Sequence, residues 1–210
     1  MRASKVLLLL SILLFGGILE TAWSVRNRAE FSPLGCRVLG GRFWGESWSY
    51  QSEARFDAPT GNAIEVQNSF GAVRVTKGQP GEVRVTLRKV VYAWSEESAR
   101  NFASRIQIVG QAEGDALRLT TNRRQLENGN ENRTGLETHL EIQVPPGTAL
   151  KVRKENGVVE ASDLDRADLA TSFDNLRLAR VAKDATVEVR HGDAIAEEIG
   201  GSLSLSTRHG

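Results

Sequence analysis

From Leu150 onward the chain lays over itself with offsets of 17, 18 and 18 residues, and apolar columns stay apolar while the residues between them vary. Leu150, Ala167, Ala185 and Leu203 form one column; Val152, Leu169, Val187 and Leu205 form the next. A turn is marked by Gly157, Asp174, Gly192 and Gly210, residue types that tolerate positive φ. After it come Val159, Leu176 and Ala194, then Ala161, Leu178 and Ala196, then Leu164, Val181 and Ile199. Just before it stand Asn156, Phe173, His191 and His209, preceded by Lys154, Thr171, Val189 and Thr207. Each unit reads as two short strands about a turn, with an aliphatic face that it cannot bury alone. Stacking such units about 4.8 Å apart would line the columns into one core. Alternation alone would also suit an antiparallel sandwich or meander, and the near-constant period is what favours a β-solenoid.

The same template fits an earlier segment, Ile64, Val66, Gly71, Val73 and Val75, shifted by 86 residues from Gly71 to Gly157. Next, "GEVRVTLRKVVYAW" predicts a longer strand from Glu82 to about Ala93. Ser95 then caps a helix in which Ala99, Phe102, Ala103 and Ile106 fall at i, i+3, i+4 and i+7, with Glu96 and Glu97 in its first turn. "DALRLTT" and "THLEIQV" return to alternation on either side of "NRRQLENGNENRTG", which is expected to be a mobile loop. The last unit stops at its own turn on Gly210, and a solenoid normally closes with an atypical unit, so the natural chain is expected to continue.

The N-terminus has a different pattern. Arg2 and Lys5 precede a 14-residue apolar run, Val6 to Leu19, which fits either the core of a secretory signal or a short membrane anchor. The triplet ending at Ala22 begins with Glu20, a poor cleavage pattern, which favours an uncleaved anchor extending to Trp23 with its basic end in the cytoplasm. The expected organisation is 1–24 anchor or signal segment, 25–51 juxtamembrane linker with Trp44 and Trp48 near its end, and 52–210 the β-solenoid domain.

Composition narrows the function classes. The 27 basic and 26 acidic side chains are interspersed, leaving a net charge of +1, and no basic stripe of the kind nucleic acid requires is present. Cys36 is the only cysteine, so the chain can form no internal disulfide and no thiolate metal cluster. Pro33 and the distance from the apolar run argue against a lipidated cysteine, which leaves Cys36 as a linker residue.

With these residues in place, "IEVQNSFGAVRV", "LEIQVPPGTALKVRKENGVVEA" and "VRHGDAIA" resemble the bacterial putative-adhesin family of domains of unknown function. The resemblance covers residues 52–210 and is strongest from Val144; "TSFDNLRL" departs from it, with Asp174-Asn175 where the turn glycine stands. It implies a β-solenoid on the outer side of the cytoplasmic membrane and carries over no catalytic residue.

Several residue types could carry chemistry. His191 and His209, repeated in the Arg-His-Gly echo, share a column with Asn156 and Phe173 and read as stacked corner residues. His139 alternates away from Leu140 and Ile142 and reads as solvated. Asp163, Asp165 and Asp168 suggest calcium, but the dense glycine-aspartate repeat of calcium-binding solenoids is missing, so they read as exposed turn acids. Glu160 has Arg177 and Ile195 in its column and therefore no carboxylate partner of the glycosidase kind. Asn132-Arg133-Thr134 matches a glycosylation acceptor, and a bare loop is the better reading.

The sequence therefore predicts an all-β chain, a β-solenoid with one short helical insertion, preceded by an N-terminal transmembrane helix. It is expected to sit as a single-pass protein in the cytoplasmic membrane with the domain extracytoplasmic. Its expected role is non-enzymatic, binding or organising envelope polysaccharide or protein, with no catalytic, cofactor or metal residues and no nucleic-acid partner. The alternatives are a carbohydrate-active enzyme on the same scaffold and a sensor or regulatory module of an envelope signalling system.

Overall fold

A computed structural model of the chain describes residues 46–127 and 135–209. In chain order, β1 (Glu46–Asp57), β2 (Ala63–Phe70), β3 (Val73–Lys77) and β4 (Glu82–Ala93) lead into helix α1 (Glu96–Arg105). Then come β5 (Ile108–Glu113), β6 (Ala116–Thr121) and the five-residue helix α2 (Arg123–Glu127). Strands β7 (Gly135–Val144), β8 (Ala149–Asn156), β9 (Val159–Leu164), β10 (Arg166–Phe173) and β11 (Leu176–Val181) follow. The last are β12 (Ala185–His191), β13 (Ala194–Ile199) and β14 (Leu203–His209).

These strands form two seven-stranded sheets, ordered β1-β4-β7-β3-β9-β11-β13 and β14-β12-β10-β8-β2-β6-β5. Their inner faces meet in one core that runs from Ile64 and Val66 to Val187 and Val189. The period-2 alternation explains the burial: on β8, Leu150 and Val152 are buried while Lys151 is exposed. The columns legible in the sequence are hydrogen-bonded neighbours. Leu150 pairs with Ala167, Ala167 with Ala185, and Ala185 with Leu203. Val159, Leu176 and Ala194 line up likewise in the facing sheet. Ile64 lies beside Leu150 and Val73 beside Val159, which places the early segment in the same ladders.

The fold class is nevertheless not the expected solenoid. Both sheets are mixed: β1 and β7 flank β4 in antiparallel pairs, and β5 pairs antiparallel with β6. Register between neighbouring parallel strands leaves a period in the sequence, whereas the decision to continue a sheet by an antiparallel strand does not. The long strands β1, β4 and β7 join the parallel ladder at β3, so the repeat occupies only part of each sheet.

The expected membrane placement is also corrected. Among the described residues no helix is long and apolar enough to cross a membrane; α1 has 10 residues and α2 five, against the roughly 20 that a span takes. The anchor segment 1–24, Cys36, Trp44 and the Asn132-Arg133-Thr134 triplet all lie outside the described residues.

Helix α1 follows its sequence signals. The Ser95 side chain accepts the Ser98 amide, Glu96 and Glu97 occupy the first turn, and Ala99, Phe102 and Ala103 are buried against the core. Lys89, which points inward from β4, donates from Nζ to the Ala103 carbonyl at 2.9 Å near the helix C-terminus. The turn column also has a specific cause. Gly157 has φ +113, and a Cβ there would run into the Gly71 carbonyl of the neighbouring unit. Asp174 holds φ +78 in the next unit, and its Oδ2 accepts the Gly157 amide at 2.7 Å. The departure from the glycine pattern thus supplies a side-chain acceptor that links one turn to the next.

Candidate functional site

The histidines and acids singled out in the sequence are each held within the scaffold. His191 stacks on Phe173 at 4.9 Å and on His209 at 4.8 Å, with interplanar angles of 9° and 11°. The faces of these rings are turned to each other, so they form a corner ladder that follows the strand spacing. Asp163 pairs bidentately with Arg180 at 2.7 and 2.8 Å, which holds its carboxyl down at about 2. Asp165 takes Lys183 at 3.0 Å, Asp168 takes Arg153 at 2.5 Å, and Glu160 takes Arg74 at 2.7 Å. Each acid therefore meets a cation from an adjoining strand or turn, and among the described residues no group of three potential metal ligands is present.

His139 differs from its sequence reading. It is 9% exposed, and its Nδ1 accepts the Ala72 amide at 3.0 Å. That bond puts the ring proton on Nε2, which lies 3.3 Å from Glu137 Oε2. Tyr92 donates to the other Glu137 oxygen at 2.8 Å. The hydrogen bond from His139, followed by that from Tyr92, outweighs burial and holds the Glu137 carboxyl below its ordinary value. Both ring nitrogens are engaged, so His139 fastens the turn between β2 and β3.

The unsatisfied chemistry lies on the other sheet. Lys154 shares the inward parity of Leu150 and Val152 and is 5% exposed. Its column neighbours are Asn68 of β2 and Thr171 of β10. Both direct their polar atoms elsewhere. Asn68 donates to the Thr138 carbonyl at 2.7 Å and accepts from the Thr138 hydroxyl at 2.8 Å, and Thr171 donates to the Phe173 carbonyl at 2.9 Å. The Lys154 Nζ has no hydrogen-bond partner among the described residues. Burial pushes this amine down to about 7; the Arg123 charge acts in the same direction, while Asp174 and Glu155 oppose it. Lys89, the other buried lysine among the described residues, is also pushed below its ordinary value by burial, but its ammonium donates to the helix carbonyl.

Lys154 lines a cleft of about 540 Å³ between α2 and the strands β6, β2, β8, β10 and β12. The other cations in its wall are Arg123, Arg153 and Arg190, and the carboxylates are Glu155 and Glu188. The Arg123 guanidinium sits 4.6 Å over the Phe70 ring, and Arg190 lies 3.9 Å from Glu188. Neutral hydrogen-bonding groups, among them Gln67, Ser69, Thr121 and Ser172, complete the wall. A second cleft of about 630 Å³ at Arg55, Phe56 and Glu82 contains none of the unpartnered buried atoms. In the sequence Lys154 stands in the column of Thr171, Val189 and Thr207, and nothing there marks its amine as unpartnered. The available signal is a lysine at inward parity, where its column mates are Thr and Val.

No protein-family model matches the chain, and no curated protein does. Among solved structures it is similar to one described as a putative cell adhesion protein from Clostridium sporogenes, at 10% identity over 75% of this chain and 100% of that one, with a TM-score of 0.37. It is also similar to a putative adhesin from Bacteroides fragilis, at 7% identity over 75% and 97% of the two chains, TM-score 0.28. A third likeness is to a putative lipid binding protein from Parabacteroides distasonis, at 9% identity over 76% and 95%, TM-score 0.25. At TM-scores this low the likenesses carry no argument about ligand or activity.

Proposed function

We propose that this protein is a non-enzymatic binding module that seats an anionic, hydroxyl-rich group, such as an acidic sugar of a polysaccharide, in the cleft beside Lys154. The observation that supports the reading is the composition of the cleft wall: three arginines and the Lys154 amine against two carboxylates, interspersed with amides and hydroxyls. Arginine forks suit carboxylate recognition, and neutral polar groups suit sugar hydroxyls. The ladders around the cleft are hydrogen-bonded strand to strand, so the wall is formed before a ligand arrives.

The test is calorimetric titration of the full chain with polygalacturonate and with neutral dextran. Binding of the uronate polymer, weakened by added salt and by roughly ten-fold or more in Arg190→Ala, is the expected result. Equal binding of dextran, or no effect of Arg190→Ala, refutes the anionic site. The same incubations are assayed for released reducing ends, whose appearance would replace the binding reading with a hydrolytic one.

A further inference from the structure

We infer that Lys154 is a carbonyl-trapping site, at which an aldehyde or ketone bearing an anionic group condenses reversibly with the Nζ amine. The inference rests on the cleft reading above and deepens it by naming the ligand's reactive group. Its geometric basis is a lysine 5% exposed, on the wall of a cleft, whose Nζ has no hydrogen-bond partner among the described residues. A lysine amine becomes nucleophilic when it is desolvated or placed beside another cation, and Lys154 meets both conditions through burial and the nearby Arg123. The fall of its pKa to about 7 leaves a large uncharged fraction at neutral pH, where an ordinary lysine has almost none.

The chemistry needs no oxidant or metal. The nitrogen lone pair forms a bond to the carbonyl carbon, and the carbonyl oxygen gains a proton as the nitrogen loses one, giving a carbinolamine. Breakage of its carbon–oxygen bond expels water, which carries away the second amine proton, and an imine remains. Hydrolysis reverses both steps. The groups facing Nζ are Arg123 from α2, Asp174 from the turn after β10 and Glu155 from β8. An anionic substituent on the ligand would lie toward Arg123, Arg153 and Arg190 of the same wall.

The probe is pyridoxal 5′-phosphate, an aldehyde carrying a phosphate, added to the full chain at pH 7, reduced with borohydride and mapped by peptide mass spectrometry. The expected result is a dominant adduct on Lys154, roughly ten-fold or more above Lys77, Lys151 and Lys183, with labelling that rises through a midpoint near pH 7. Lys89, whose ammonium is hydrogen-bonded, should stay unlabelled. Lys154→Arg, which keeps the charge, should lose the adduct while a circular-dichroism spectrum shows the strands retained. Even labelling of all lysines, or labelling of exposed lysines with Lys154 untouched, overturns the inference. Pyridoxal without phosphate separates the two readings. If it labels Lys154 as fast as the phosphate ester does, and polygalacturonate does not compete, trapping stands and the anionic site falls. If polygalacturonate binds and no adduct forms at Lys154, the anionic site stands and trapping falls.

Discussion

Replacing Lys154 by methionine should stabilise the protein, and the stabilisation should shrink as pH rises. The side chain sits 5% exposed, inward of the β2–β8–β10 ladder, with no hydrogen-bond partner among the described residues. Burial sets the folded-state amine at about 7 against an ordinary 10.5. That gap corresponds to about 5 kcal/mol between the protonation states. Because the folded value is depressed, the unfolded chain binds more protons between the two values, so wild-type stability rises with pH through that window. It is insensitive to this group well below 7, where both states are protonated, and above 10.5, where both are neutral. Between pH 7 and 9 the wild type should gain about 2 kcal/mol relative to Lys154→Met, and at pH 7 the variant should be the more stable by about 4 kcal/mol. Methionine has a similar length and no polar head, so the change in packing is small beside this effect. Urea unfolding of both full chains at pH 6, 7, 8 and 9 measures the difference directly. Parallel stability curves, with no narrowing of the gap toward pH 9, would refute the account of a lysine whose charged form is disfavoured by burial.

Four other substitutions probe the scaffold. Gly157→Ala should cost roughly 3 kcal/mol or more, because φ is +113 and the new Cβ meets the Gly71 carbonyl; Gly81→Ala, at φ +78 in open space, should cost only about 1 kcal/mol. Similar losses for the two in thermal melts would mean that inter-unit crowding is not what fixes the turn. His139→Ala strips the acceptor from the Ala72 amide and the donor from Glu137 and should cost about 1–3 kcal/mol. The depressed Glu137 carboxyl stabilises the fold above the usual carboxylate range and loses that contribution as pH falls, so the His139→Ala deficit should shrink in acid titrations. Leu169→Ala, at the centre of the ladder and fully buried, should cost about 2–5 kcal/mol by chemical denaturation.

Period-2 alternation is enough to read most strands, because one face of each is buried and a slip of one residue would turn that face outward. Strand β4, the Ser95 cap and the columns through Leu150 and Val159 are all legible from spacing. Less legible are positions where side-chain type conflicts with backbone conformation. Asp163, Arg180 and Glu198 hold φ +61, +53 and +56 at the same place in successive units, where a reader of sequence would expect glycine. The short helix α2 lies in a stretch that reads as loop, since five residues are too few to display a helical period. His139 reads as solvated because its parity is outward; the bond to Ala72 comes from the turn after β2, 67 residues away in the chain.

The sequence by itself determined the all-β class, the register of the parallel columns, and the inward parity of Lys154, since each depends on neighbours whose spacing is written along the chain. Only the tertiary structure decided that two mixed sheets replace a solenoid, because antiparallel joining of β1, β4 and β7 leaves no period to detect. It alone also decided that the Lys154 amine is left without a hydrogen bond. Asn68 is bonded to Thr138 of β7, Thr171 is bonded to the backbone of its own strand, and Arg123 arrives from α2. Whether a buried polar group is satisfied depends on where every neighbouring donor and acceptor points, and that is fixed only when the sheets close over one another.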